Sequence, residues 1–220
     1  MPVAVITGAN RGIGLALTKA YLSEKWDVYA LCRNSSDELN DTSAKVITKV
    51  DVGNPDALPS ILSKLKDIKI DLLINNAGVL ARDSLKEWDP HTIEHQFRVN
   101  ALGPLLVTQC LLEQFKQDSK VIHITSRMGS MQDNTSGGYY GYRMSKAALN
   151  AAGKSMAYDL KEKGIAVALL HPGYVQTEMV SMGGDISAQE AAERLMLRID
   201  ELSLQTSGTF WHSNGEVLPW

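Results

Sequence analysis

The sequence predicts a doubly wound α/β fold: a seven-stranded parallel sheet with helices on both faces, in a single domain spanning residues 1–220. Three observations predict it. Strand-like and helix-like segments alternate along the whole chain, the pattern of βαβ units with right-handed crossovers. Most strand-like segments are continuous apolar or β-branched runs, such as Val121-Ile122-His123-Ile124 and Ile165-Ala166-Val167-Ala168-Leu169-Leu170, which suits a sheet buried on both faces. The chain has no internal repeat, low-complexity segment or linker that would divide it.

Taken in order, Val3-Ala4-Val5-Ile6 opens a strand over 2–7 that stops at Thr7-Gly8. A helix follows over 13–25, with Leu15, Leu17, Tyr21 and Leu22 as its apolar positions. Further strands are expected over 27–32, 45–50, 70–75, 119–125, 165–171 and 208–212. Helices are expected over 56–67, 91–116, 139–163 and 187–202, with a short helical or loop piece at 36–41. In such sheets ligands bind beyond the carboxyl ends of the strands. The residues with chemical potential, at 8–14, 33, 51, 75–78, 126 and 172–177, all follow expected strand ends, which points to one shared site.

Composition narrows the function. At 220 residues and 44% hydrophobic, the chain can bury one large core. A formal net charge of −3 gives no electrostatic reason to expect nucleic acid or an anionic membrane as partner. No apolar run approaches the roughly 20 residues that span a bilayer. The first strand begins at once, which predicts no secretory leader. Cys32 and Cys110, far apart, suit a reducing cytoplasm better than a disulfide framework.

Two motifs carry the chemistry. Gly8-Ala9-Asn10-Arg11-Gly12-Ile13-Gly14 lies between a strand and a helix, where glycines let the backbone turn sharply and approach a pyrophosphate that the helix N-terminus attracts. The spacing, Gly-x3-Gly-x-Gly, differs from the commoner Gly-x-Gly-x2-Gly. The second motif is Tyr142-Arg143-Met144-Ser145-Lys146. Four residues apart on a helix, Tyr142 and Lys146 share a face. The lysine ammonium is expected to lower the phenol from its ordinary value of about 10, toward useful acid–base chemistry.

Together with Thr7, Asn75-Asn76-Ala77-Gly78, Asn100, Ser126, Pro172-Gly173 and Thr177, these motifs resemble the short-chain dehydrogenase/reductase family across the whole chain. The ending, Gly208-Thr209-Phe210-Trp211 to Gly215-Glu216-Val217-Leu218-Pro219-Trp220, is similar to that of C-factor and sniffer-type carbonyl reductases. The resemblance implies a Rossmann-type fold and an NADPH-dependent oxidoreductase interconverting a carbonyl and an alcohol. Tyr142 would be the general acid or base, Lys146 its modulator and a ribose contact, Ser126 a hydrogen-bond donor to the substrate oxygen, and Asn100 the holder of a water linking Lys146 to solvent. Asp51 and Val52 would meet the adenine. Asn76, Ala77 and Gly78 would pass along the adenosine side, and Pro172, Gly173, Val175 and Thr177 would hold the nicotinamide carboxamide. A second reading, a nucleotide-binding sensor or signalling protein without relevant turnover, is also consistent with C-factor-like relatives.

Cofactor choice rests on Cys32 and Arg33. Cys32 stands where the family's NAD enzymes carry an aspartate, and Arg33 beside it offers a guanidinium to a 2′-phosphate. Arg11 is expected to face the same group, so NADP(H) is expected over NAD(H). Asp51 has a plainer reading as a turn residue before Gly53-Asn54-Pro55. Ser130 stays open as an alternative to Ser126, and Tyr139, seven before Lys146, as an alternative to Tyr142; Tyr139 or Tyr140 would otherwise line the substrate cleft. His91 and His95 read as a solvated helix face rather than metal ligands, and His123 and His171 as hydrogen-bonded structural residues. A short lid is expected between Thr177 and Ser187. Apolar residues on more than one side of the helix over 91–116 (Leu102, Leu105, Leu106, Leu111, Leu112) predict a homodimer or homotetramer through that helix and the one over 139–163, with Pro219-Trp220 a second contact and Trp211 packed on the domain or a partner.

Overall fold

In the computed structural model the opening apolar run becomes β1 (Val3–Thr7), followed by α1 (Gly12–Ser23), β2 (Asp27–Leu31), α2 (Asp37–Asn40), β3 (Lys45–Ile47), α3 (Leu58–Leu65) and β4 (Ile70–Asn75). The second half adds α4 (Pro90–Phe97), α5 (Gly103–Cys110), β5 (Phe115–Ile124), α6 (Tyr140–Asp159), β6 (Ala166–His171), α7 (Ala188–Glu201) and β7 (Thr209–His212). The structure describes residues 1–220, the side chains of Ser60 and Leu62 excepted. The strands form one parallel sheet in the order β3-β2-β1-β4-β5-β6-β7. The chain order reverses between β1 and β4, so a crevice opens there beyond the strand ends.

Alternation along the strands divides the core in two. Ala4 and Ile6 of β1 point into one layer with Leu17 and Tyr21 of α1 and Leu195 and Ile199 of α7. Val5 points the other way, into a layer with Leu65 of α3, Val107 of α5 and Met156 of α6. Trp211 packs against the first layer, which settles it on this chain. Among the described residues, no helix is long and apolar enough to cross a membrane.

The expected helix over 91–116 is not one helix. It is α4, a π-helical turn over Arg98–Leu102, and α5, which stops at Cys110. Pro104 has no N–H to give the carbonyl four residues back, at Asn100, and the helix widens here instead, with Gly103 N–H reaching the Arg98 carbonyl. Beyond Leu111, a buried core residue, the polar stretch Lys116-Gln117-Asp118-Ser119 belongs to β5 rather than to a helix. Its register against β4 shifts between Ile70 and Leu72, and Asp118 adopts φ 67°, so this is a bulged strand whose polar residues imitate a helix surface.

Candidate active site

Thr7, at the end of β1, is the anchor of the glycine loop. Its Oγ1 accepts the Asn76 N–H at 3.0 Å and the Ala77 N–H at 3.1 Å, while Asn76 Nδ2 donates to the carbonyls of Thr7 and Gly8 at 3.0 and 3.2 Å. Asn76 thereby fixes the loop across the switch point. At Gly14, a Cβ would fall 2.2 Å from the Gly8 carbonyl oxygen, so only glycine allows α1 to begin this close to β1. No side chain caps α1, which leaves the N–H groups of its first turn facing the crevice.

The crevice is a cavity of about 920 Å³, and every residue the sequence assigned to catalysis or cofactor lies on its wall except Asn100. Asn100 is fully buried behind the wall. Its Oδ1 accepts the Val79 N–H at 2.8 Å, and its Nδ2 donates to the Val79 carbonyl at 2.8 Å and to Ser145 Oγ at 3.0 Å. Ser145 in turn donates to the Tyr142 carbonyl at 2.8 Å. With both amide hydrogens engaged, the Asn100 side chain ties the loop after β4 to α6.

Ser126, Tyr142 and Lys146 come together on the floor, all at most 8% exposed. Ser126 follows β5 and lies beside Tyr142 on the cavity wall. Its Oγ accepts the Met128 N–H at 3.2 Å, starting a 3-10 turn over Arg127–Gly129. That turn rests directly on α6: a Cβ at Gly129 would lie 2.8 Å from the Lys146 carbonyl carbon. Lys146 Nζ donates to the Ile124 carbonyl at 2.9 Å and lies 5.8 Å from the Tyr142 ring centre. Burial pushes the Tyr142 phenol up to about 12, against the pull of Ser126, and pulls Lys146 down to about 8. The expectation of a lowered phenol is therefore corrected: desolvation of the buried ring outweighs the pull of Ser126.

The open alternatives separate by position. Ser130 is off the cavity wall; its Oγ donates to the Trp220 carbonyl at 3.1 Å and accepts the Asp133 N–H. Tyr139 is on the wall, at the start of α6 with φ 52°. Tyr140 is not on that wall; its N–H and that of Gly141 are capped by the Asp83 carboxylate. Arg33 is exposed on the wall beside buried Cys32, whose thiol burial pushes up, leaving a neutral neighbour. Arg11 is not beside it. Its guanidinium pairs with Glu178 at 2.5 Å, across the crevice. Asp51 does form the plain turn, accepting the Gly53 N–H at 3.0 Å, and still reaches the wall.

The lid is a loop closed at its base, where Gln176 N–H donates to the Ile186 carbonyl at 2.9 Å and Asp185 N–H to the Tyr174 carbonyl at 2.7 Å. Its tip has Ser181 and Met182 at φ 54° and 61°. Sequence reasoning missed several wall residues. His171 lines the cavity edge-on to His212, ring centres 4.9 Å apart, with its Nδ1 unpartnered. Burial, with His212, Arg127 and Lys146 nearby, pulls it down to about 3. Its place as the last residue of β6 was the available signal. Arg82 and Arg143 also reach the wall.

The comparisons agree with this geometry. A family model described as short chain dehydrogenase matches residues 2–186. The 1-hydroxy-2-glutathionyl-2-methyl-3-butene dehydrogenase of Rhodococcus sp. (strain AD45) is 35% identical, with all of both chains covered. The C-signal protein of Myxococcus xanthus is 44% identical over 69% of this chain and 93% of its own. The NADPH-bound carbonyl reductase from chicken fatty liver superposes with a TM-score of 0.89 at 28% identity, covering both chains fully. The chain belongs to the short-chain dehydrogenase family and has its oxidoreductase fold.

Proposed function

We propose that this oxidoreductase is an NADPH-dependent carbonyl reductase, with Tyr142 delivering the proton. The observation that carries the reading is the meeting of Ser126, Tyr142 and Lys146 on one buried floor of the crevice. The residues present fit a dinucleotide. Uncapped N–H groups at the start of α1 suit a pyrophosphate, and Arg33, with no carboxylate at the end of β2, suits a 2′-phosphate. Asp51 and Val52 stand toward the adenine, while Pro172, Gly173, Val175 and Thr177 stand toward the carboxamide. When bound, the nicotinamide supplies or takes the hydride.

The chain's own residues manage the proton. Reduction requires Tyr142 to carry its proton, and burial keeps it protonated. Ser126, beside the phenol, is placed to donate its single O–H to the carbonyl oxygen as negative charge develops there. Lys146, held by Ile124, keeps N–H groups free for ribose hydroxyls. Asn100 is a positioning residue through Ser145.

NADPH oxidation measured against aldehydes, ketones and quinones tests this. Tyr142→Phe is expected to lower kcat by about 10² to 10⁴ with NADPH binding largely kept, since the proton is lost but the ring still packs. A near-normal rate overturns the mechanism, and nucleotide binding without turnover of any substrate supports a sensor instead. We further propose a homodimer through α4–α5 and α6, where Leu102, Leu105 and Met144 are exposed. Light scattering at micromolar concentration checks it; a mass near 24.1 kDa refutes it.

A further inference from the structure

The substrate end of the crevice carries two guanidiniums that no carboxylate neutralises. Arg143, next to Tyr142 on α6, donates through Nε to the Gly138 carbonyl at 3.1 Å and through its terminal nitrogens to Ser136 Oγ at 2.9 Å, the Gly137 carbonyl at 3.4 Å and the Met128 carbonyl at 3.5 Å. All four acceptors are uncharged, so its full positive charge persists at the wall. Arg82, exposed in the loop after β4, makes no ion pair among the described residues. The two segments adjoin, because Tyr139 N–H donates to the Asp83 carbonyl at 3.0 Å.

The acids nearby are turned elsewhere. Asp83 caps α6, and Asp89 caps α4 through Thr92. Asp133 pairs with Arg127, and Glu178 with Arg11. Glu87 lies in an adjoining hollow that Arg82 also lines, without pairing to it. Glu38 and Asp51, the other acids on the crevice wall, stand at its far end with Arg33. The same wall carries Leu80, Met128 and Tyr139, which suits a carbon skeleton.

We infer that the substrate is a carbonyl compound bearing an anionic group, a carboxylate foremost, seated against Arg82 and Arg143 while its carbonyl meets Tyr142. The inference rests on the carbonyl reductase reading and names its substrate class. Arg82, which makes no hydrogen bond among the described residues, has planar donors that can pair bidentately with carboxylate, and Arg143, with four of its five N–H groups engaged, adds positive charge and one donor.

The test pairs acid and ester probes. Calorimetry with NADP⁺ present compares 4-(hydroxymethyl)benzoate with its methyl ester, and NADPH-driven turnover compares 4-formylbenzoate with methyl 4-formylbenzoate. The acid is expected to bind about tenfold more tightly, and to show a matching gain in kcat/KM, as for one hydrogen bond to a charged group. In Arg82→Ala the acid's advantage is expected to fall toward unity, and in Arg82→Lys most of it should return. Equal affinity for acid and ester, or an Arg82→Ala loss shared equally by both, overturns the inference and leaves any observed turnover intact as support for the reductase reading. Tighter binding of the acid with no turnover of either aldehyde supports the anion site and defeats the reductase reading alone.

Discussion

The two walls of the crevice are held by different means. On the glycine-loop wall, Thr7, Gly8, Asn76 and Ala77 are cross-linked by four hydrogen bonds over nearly seventy residues of sequence, and Gly14 closes the packing with no room for a methyl group. On the lid wall, backbone bonds close the base and a 3-10 turn over Glu178–Val180, but these bonds stay within the lid, and the link across the crevice is the exposed pair Arg11–Glu178. Exposed ion pairs contribute little and are screened by salt. On the proposed reading, the rigid wall would receive the part of the ligand that does not vary, the phosphates, and the loose wall would face the part that does, the substrate.

The largest break in that comparison should come from Gly14→Ala. The added carbon meets backbone oxygen at 2.2 Å and Asn76 Nδ2 at 2.5 Å, and overpacking of this kind costs about 3 kcal/mol. Denaturation midpoint and NADPH titration should both fall, affinity by about a hundredfold; unchanged values would mean the wall yields as easily as the lid. Next comes Arg33→Ala, which removes one charge-assisted contact and should weaken NADPH roughly tenfold to a hundredfold while barely altering NADH. Parallel titrations check this, and equal losses for both cofactors would remove Arg33 as the phosphate reader.

A smaller effect appears on acidification. His123, buried beside Asn75 at the centre of the sheet, and His171, at the foot of the lid wall, are both held near 3 by burial, against about 6.5 when unfolded. The unfolded chain binds the protons first. Stability from these neutral rings is therefore complete above 6.5 and is lost as pH falls toward 3. By pH 5 the loss should be about 2 kcal/mol for His123 and less for His171, which is partly exposed. Urea midpoints at pH 7 and 5 measure it. His123→Gln should remove more of the pH dependence than His171→Gln, and the reverse order would mean the lid wall is the more tightly sealed of the two.

The same contrast explains what the sequence disclosed. Strand positions and glycine loop were legible because continuous apolar runs and a strand–turn–helix junction are local patterns with one physical outcome. The sheet therefore matches expectation closely, apart from β3 and β5 lengths. The helix over 91–116 was misread because one proline and one bulge, neither visible in hydrophobic periodicity, broke it. Tyr142 and Lys146 could be placed by their spacing on one helix, and Ser126 by the family resemblance. Arg11 went astray because side-chain direction within a turn follows from the opposite wall, and the phenol's acidity because burial is a property of the assembled core.

Gly129 has no reactive atom and no contact with substrate, yet it sets the seat of the catalytic floor. Because its missing side chain lets the Ser126 turn lie flat on the Lys146 backbone, the serine-to-phenol spacing is a tolerance machined into one position three residues downstream. Any larger residue there would act as a shim between the Ser126 turn and α6, and on the proposed mechanism it would detune proton delivery while Ser126, Tyr142 and Lys146 stay chemically intact.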